Sequence, residues 1–271
     1  MNKENTHSQS LMQVTSVTAF DDNYIWFIHG LPENQAQKHI IIVDPGEAKP
    51  VIEAIEEHKY IPEAIFLTHH HGDHTGGVGQ LLEHYHIPVY GPKNEAIASV
   101  TQALSNKDTL SFASMGLNFS ILDVPGHTIG HIAYLGQQCL FIGDTLFTGG
   151  CGRIFEGTSE QMHHSLAQLL ALDKQTQVYC AHEYTLENLK FALIADPDNS
   201  QLRKRMKDTQ QLRDKQCATV PSSLALELQT NPFLRFNDPA IKAAAEQFAQ
   251  KALNSPAEVF KTIRYWKDTL D

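Results

Sequence analysis

The chain has 271 residues, 31 acidic against 21 basic side chains, a formal net charge of −10 and 42% hydrophobic residues, enough for one large or two modest domains with proper cores. The acidic surplus argues against nucleic acid as a partner, and no apolar stretch approaches membrane-spanning length. Four scattered cysteines without a paired framework suit a reducing cytosol, and the polar residues Met1 to Ser10 lack the apolar core of a secretory signal.

In chain order, short apolar strands are expected over residues 14–20, 25–29, 39–43, 64–67, 88–90, 117–124, 132–135 and 140–142. Helices are expected among them over 49–58, 77–85 and 159–172, the last opened by the cap signal of Thr158 and Ser159. After His182 the strand signal disappears. Residues 183–195, 199–217, 222–228, 238–253 and 256–269 read as helices, several opened by Ser, Asp or Asn. Strands and helices therefore come first, and helices alone follow.

The strand at 64–67 runs into Thr68-His69-His70-His71-Gly72-Asp73-His74, where imidazoles and a carboxylate crowd onto a strand-end loop. Neutral imidazoles and an acid in such a place are what a divalent metal site requires. A histidine-rich tag or tail would lie at a terminus, and this run lies between a strand and a helix. Along an extended strand end, His69 and His71 project to one face and His70 to the other, which makes His70 a spacer. Asp73 and His74 form a second pair presented by the turn.

The same grammar of apolar strand, turn and donor recurs at His127, at Asp144 after Gly143, and at His182. Strand ends on one edge of a sheet converge in space, so donors more than a hundred positions apart can meet. The set is His69, His71, Asp73, His74, His127, Asp144 and His182: too many for one tetrahedral ion and natural for two ions sharing a carboxylate. His7 lies in a polar terminus, His58, His84 and His86 fall near helix ends, and His163 and His164 flank a helix. His131 is either a structural residue or a hydrogen-bonding neighbour of a ligand. Cys151 and Cys180 have no place among the donors and read as small buried residues.

The pattern T-H-x-H-x-D-H with its later histidine, aspartate and histidine resembles the metallo-β-lactamase superfamily. Within it the chain resembles the glyoxalase II (hydroxyacylglutathione hydrolase) family over nearly its whole length. The resemblance is carried by Asp22-Asn23-Tyr24, Val43-Asp44-Pro45-Gly46-Glu47-Ala48, Gly143-Asp144-Thr145-Leu146-Phe147, Gly150-Cys151-Gly152-Arg153, His182-Glu183-Tyr184-Thr185 and Thr230-Asn231-Pro232-Phe233-Leu234-Arg235. The metal motif specifies only the superfamily. The Asn-Pro-Phe segment and the ending Arg264-x-x-Lys267 narrow it to the family.

The resemblance implies an α+β fold: a four-layered αβ/βα sandwich over residues 1–182 as catalytic domain, then a helical substrate-binding domain over 183–271. It implies a first metal held by His69, His71 and His127, a second by Asp73, His74 and His182, and a bridging Asp144. Two divalent ions per chain follow, zinc first, with iron or manganese as alternatives. Asp73 and Asp144 are the implied catalytic residues, and Arg153, Tyr184, Arg264 and Lys267 the implied contacts to a glutathione thioester. A solvated helix face is the alternative for Arg264 and Lys267. Some members carry a tyrosine where this chain has Phe155, so that hydroxyl is missing here.

The implied activity is hydrolysis of S-D-lactoylglutathione to D-lactate and glutathione, the second step of methylglyoxal detoxification, in a cytoplasmic monomer. Ions about 3.5–4 Å apart hold a hydroxide at neutral pH, and a thiolate leaving group, with a thiol pKa of about 8.5, needs no dedicated general acid. A one-iron persulfide dioxygenase resembles the chain in the metal motif but not in the tail. A β-lactam hydrolase is normally exported and also lacks this tail. A protein that merely stores or senses metal is the rival from outside the enzymes.

Overall fold

The computed structural model describes residues 12–270, so His7 and the stretch Met1 to Ser10 lie outside the described residues. The chain begins with an antiparallel run of β1 (Val14–Ala19), β2 (Asn23–His29) and β3 (His39–Val43). Helix α1 (Lys49–His58) then leads to β4 (Ile61–Phe66), the single turn α2 (Gly72–Thr75), helix α3 (Val78–His84), β5 (Val89–Pro92) and β6 (Gln102–Leu104). From β3 to β6 the neighbours are parallel, and the six strands form one sheet in the order β1-β2-β3-β4-β5-β6.

A second sheet starts with β7 (Thr109–Phe112), β8 (Leu117–Asp123), β9 (Ile132–Gly136) and β10 (Cys139–Gly143). A hairpin of β11 (Leu146–Phe147) and β12 (Gly150–Cys151) follows, then α4 (Ser159–Leu169) and β13 (Gln177–Cys180). The remainder is α5 (Thr185–Ala195), α6 (Ser200–Asp214), β14 (Ser222–Ser223), α7 (Leu224–Thr230), α8 (Pro239–Ala249) and α9 (Pro256–Asp268). The order in the second sheet is β14-β13-β10-β9-β8-β7.

Every residue of β2 is buried because the strand serves two cores. Tyr24, Trp26 and Ile28 face the second sheet, while Ile25 and Phe27 face α1 and α3 through Val51, Ile55, Val78 and Leu81. Between the sheets, Phe66 and Tyr134 stack with ring centroids 4.3 Å apart, and the Tyr134 hydroxyl donates to the Leu67 carbonyl at 2.8 Å. On the far side, α4 buries Met162, Leu166 and Leu169. Helix, sheet, sheet, helix is the expected four-layered sandwich.

The helical segment does not stand apart. Its Phe191, Phe233 and Phe260 belong to the same apolar cluster as the sandwich interior. One expectation needs correcting, that no strand follows His182. Ser222 and Ser223 pair antiparallel with Val178 and Gln177, and two serines carry no apolar pattern that could announce it. The short strands β6 and β7 also escaped the pattern, being partly exposed and paired only through their neighbours. Helix α8 ends at Ala249 rather than 253, because Gln250 turns left-handed at φ 53°; Leu253 is buried from a loop and mimics helical periodicity.

Candidate metal centre

Asp44 builds the first part of the site. It leaves β3 in the left-handed region at φ 51°, and its carboxylate accepts from the Thr68 N–H at 2.8 Å and the Thr68 hydroxyl at 2.7 Å. That clamp fixes the end of β4, from which His69 and His71 point inward. His70 points away, bonding Glu95 through Nδ1 at 2.9 Å and Glu156 through Nε2 at 3.1 Å, so the spacer ties two loops together. The turn α2 then presents Asp73 and His74.

The other donors arrive from the second sheet. His127 follows β8, Asp144 follows β10 and His182 follows β13. Gly143 is required before Asp144: it sits at φ 48°, and a Cβ there would come within 2.4 Å of the Thr68 hydroxyl and 2.9 Å of the His131 ring. All seven side chains anticipated from the sequence meet. The donor atoms of His69, His71 and His127 lie within 4.8 Å of one another, as do those of Asp73, His74 and His182.

Asp144 stands between the two triads. Its Oδ2 is 3.5 Å from His127 Nε2 and 3.4 Å from His182 Nε2, and its Oδ1 is 3.4 Å from His74 Nε2. Asp73 Oδ2 lies 3.4 Å from both His74 Nε2 and His182 Nε2, and His127 Nε2 lies 3.0 Å from His71 Nδ1. Three of these atoms, His69 Nε2, His74 Nε2 and Asp144 Oδ1, are buried without a hydrogen-bond partner. Leaving such atoms unsatisfied is costly. Mixed imidazole and carboxylate donors converging on common points are satisfied together by divalent cations, and two triads with a carboxylate between them fit a dinuclear centre.

A ring of partners fixes the tautomers of the clustered imidazoles. His74 Nδ1 bonds Asp44 Oδ2 at 3.0 Å, His182 Nδ1 bonds Asp22 Oδ1 at 2.8 Å, and His127 Nδ1 bonds the Arg153 carbonyl at 2.8 Å. Each bond leaves an Nε2 lone pair aimed at the centre. The Asn23 amide donates to Asp73 Oδ2 at 3.1 Å. The roles of Asp22, Asn23 and Asp44 were missed from the sequence; their only signal was membership of the family's motifs. His131 takes the hydrogen-bonding role, its Nε2 accepting from the Asp144 N–H at 3.2 Å while its ring stacks on His69.

The charges divide the site. Burial pushes the Asp144 carboxyl up, but His74 and His182 beside it hold it well below the usual carboxylate range. Burial disfavours the charged form of His182, yet Asp144 and Asp73 push its pKa up to about 10. His69 and His131 are lowered well below 6.5, chiefly by burial and then by neighbouring imidazoles. The cluster thus offers neutral imidazoles on one side and a strong demand for positive charge on the other.

Beside the cluster lies a cavity of about 390 Å³ whose walls include Arg153, Tyr184, Arg264 and Lys267. The solvated-face alternative for the last two fails, since Arg264 is 2% and Lys267 9% exposed. Arg264 donates to the Cys151 carbonyl at 3.0 Å and to Asp268 at 2.8 Å, with its guanidinium over the Phe233 ring. Tyr184 stacks almost parallel on His182. Phe155 is 64% exposed and sets its ring edge-on to His127, 5.2 Å between centroids.

The Asn-Pro-Phe segment has a defined task. Asn231 donates to the carbonyls of Phe147 at 3.2 Å and Gly150 at 2.9 Å, and to Glu227 at 3.0 Å. Glu227 accepts the Gly149 N–H at 2.9 Å and pairs with buried Arg205. The hairpin β11–β12, which joins Asp144 to Arg153, is therefore gripped from the helical segment. Glu227 and Arg205 were given no role from the sequence; each lies inside a helical stretch without a local motif.

Comparison with known proteins agrees with this geometry. The family profile described as "Hydroxyacylglutathione hydrolase C-terminus" matches residues 183–270, and that of the "Metallo-beta-lactamase superfamily" matches residues 34–182. A hydroxyacylglutathione hydrolase of Nitrosomonas eutropha is 51% identical over 95% of this chain and 99% of its own. One of Nitrosomonas europaea is 50% identical over 95% of this chain and 96% of its own. The solved structure of ETHE1 from Myxococcus xanthus shares the fold, with a TM-score of 0.62 and 23% identity over 95% of this chain and 99% of that one. Fold, the cluster of histidines and aspartates, and similarity over 95% of the chain together show that the chain belongs to the hydroxyacylglutathione hydrolase family of the metallo-β-lactamase superfamily.

Proposed function

We propose that this enzyme hydrolyses S-D-lactoylglutathione and related S-2-hydroxyacylglutathiones, giving D-lactate in the first case and glutathione. The reading places it at the second step of methylglyoxal detoxification, as a cytoplasmic monomer. Among the described residues no helix is long and apolar enough to cross a membrane. Residues 1–182 form the catalytic domain in this reading and 183–271 the helical substrate-binding domain.

The observation that carries the proposal is the seat of Asp144, within 3.5 Å of imidazoles from both triads. His69, His71 and His127 would hold one ion and Asp73, His74 and His182 the other, with Asp144 shared. Zinc fits this thiolate-free set, as do iron and manganese. When bound, such a pair supplies a hydroxide at neutral pH and an electrophile for the thioester carbonyl.

The chain's own side chains do the rest. Asp73 and Asp144 fix where the nucleophile can stand, and Asn23 keeps the Asp73 carboxylate turned inward. Arg153, Arg264 and Lys267 give an acidic protein the local positive charge that an anionic glutathione thioester needs. Burial, then Asp22, Asp144 and Asp73, pushes the Tyr184 phenol up to about 12, so it stays protonated and is available as a donor to a ligand in the cavity. The departing thiolate needs no proton from the protein, since its conjugate thiol has a pKa of about 8.5.

The test is metal analysis of the purified protein alongside turnover of S-D-lactoylglutathione. Two ions per chain with thioester cleavage are expected. One ion per chain, or no cleavage by fully loaded protein, would overturn the reading.

A further inference from the structure

The cavity wall mixes its charges unevenly. Among the described residues lining it, the carboxylates are Asp144 and Glu187, and the cations are Arg153, Arg264 and Lys267. Those three suit the carboxylates of a ligand. A carboxylate in the same wall weakens binding of any purely anionic ligand, unless that ligand also brings a positive charge to it.

Glu187 is placed to meet one. It lies in the first turn of α5, three residues after Tyr184, so the two share a helix face beside His182. The next residue, Asn188, is buried and its amide is committed to the Thr148 carbonyl at 3.2 Å. Glu187 itself pairs with Lys190 at 2.6 Å, but the two side chains are 71% and 56% exposed. An ion pair so open to water contributes little and is readily exchanged. An acidic residue in the first turn also favours the helix dipole, and that effect is the same with or without ligand.

Resting on the hydrolase reading above, we infer that Glu187 is a specificity-determining residue that receives the α-ammonium of the γ-glutamyl group. A glutathione thioester carries two carboxylates and one ammonium. The cationic wall answers the carboxylates and Glu187 the ammonium, with Lys190 released to solvent. The enzyme then favours thioesters of glutathione over those whose amine is blocked, and over acyl thioesters of carriers lacking an ammonium there.

The test crosses one substitution with one substrate change in the metal-loaded enzyme. For S-D-lactoylglutathione, Glu187→Gln is expected to raise KM about fivefold with kcat within about twofold, the size of an exposed charge pair. The wild type should favour this substrate over its N-acetyl derivative by a similar factor in KM. In Glu187→Gln that preference should shrink to within about twofold, and in Glu187→Lys it should reverse. Calorimetric binding of glutathione and N-acetylglutathione repeats the comparison without turnover. Equal KM changes for both thioesters, or no change for either, would overturn the assignment. Failure of the wild type to cleave either thioester would instead overturn the hydrolase reading, while the binding comparison still reads Glu187.

Discussion

His182 and Asp22, 160 residues apart in sequence, are joined by a 2.8 Å hydrogen bond from the imidazole Nδ1 to the carboxylate. The bond holds the His182 ring so that Nε2 faces Asp73 and Asp144. Removing an outer partner of this kind lowers metal affinity by about 10- to 100-fold. Asp22→Ala should therefore weaken one of the two ions by that factor, measured by chelator competition, and leave the other nearly unchanged. Equal weakening of both would mean that Asp22 acts on the whole fold rather than on His182.

Arg264 is buried and its guanidinium already serves the Cys151 carbonyl and Asp268. It lines the cavity while bracing the wall. Arg264→Ala should raise KM for the glutathione thioester about tenfold and lower stability by about 1–3 kcal/mol. Steady-state kinetics and denaturant unfolding measure the two effects. An unchanged KM with lost stability would make Arg264 a brace alone.

Asn231 has three donations to lose. Asn231→Asp keeps the shape and the oxygen that accepts the Phe233 N–H at 3.0 Å, but it sets a carboxylate against two carbonyls and Glu227. Destabilisation by about 3 kcal/mol is expected, together with a higher KM as the hairpin carrying Arg153 loosens. A variant as stable as wild type, with the same KM, would show that the grip on the hairpin is unimportant.

The same grip predicts a pH dependence. Burial pushes the Glu227 carboxyl up, but Arg205 and the hydrogen bonds to it hold its pKa below the ordinary 4.5. A carboxyl depressed in the folded state stabilises the protein above its unfolded pKa and loses that stabilisation as pH falls through the folded value. Unfolding free energy should therefore decline below pH 4.5. In Glu227→Gln the decline should be shallower, on a less stable protein. Parallel profiles would assign the acid sensitivity to other groups.

His69, His71, His127, Asp144 and His182 were legible because each follows an apolar strand, and strand ends on one sheet edge converge; Asp73 and His74 were legible from the turn that comes next. His70 was legible through alternation alone. What the sequence hid were groups whose task is set by a distant partner. Glu227 meets Gly149 across 78 positions, and Asp44 meets His74 across 30, so neither stands in a local pattern. Strand β14 was hidden for a related reason: Ser222 and Ser223 pair only because β13 offers them an open edge. The helical segment was legible by its caps, and the hold of its Asn231 on Phe147 and Gly150 was not.

Asp144 is where the two halves of the centre touch, so metal content and turnover of Asp144→Ala test the account most directly. The wild type should carry two divalent ions per chain and cleave S-D-lactoylglutathione. The variant should hold at most one ion firmly and lose thioester hydrolysis. Two tightly held ions and undiminished turnover in Asp144→Ala would contradict the shared-carboxylate centre.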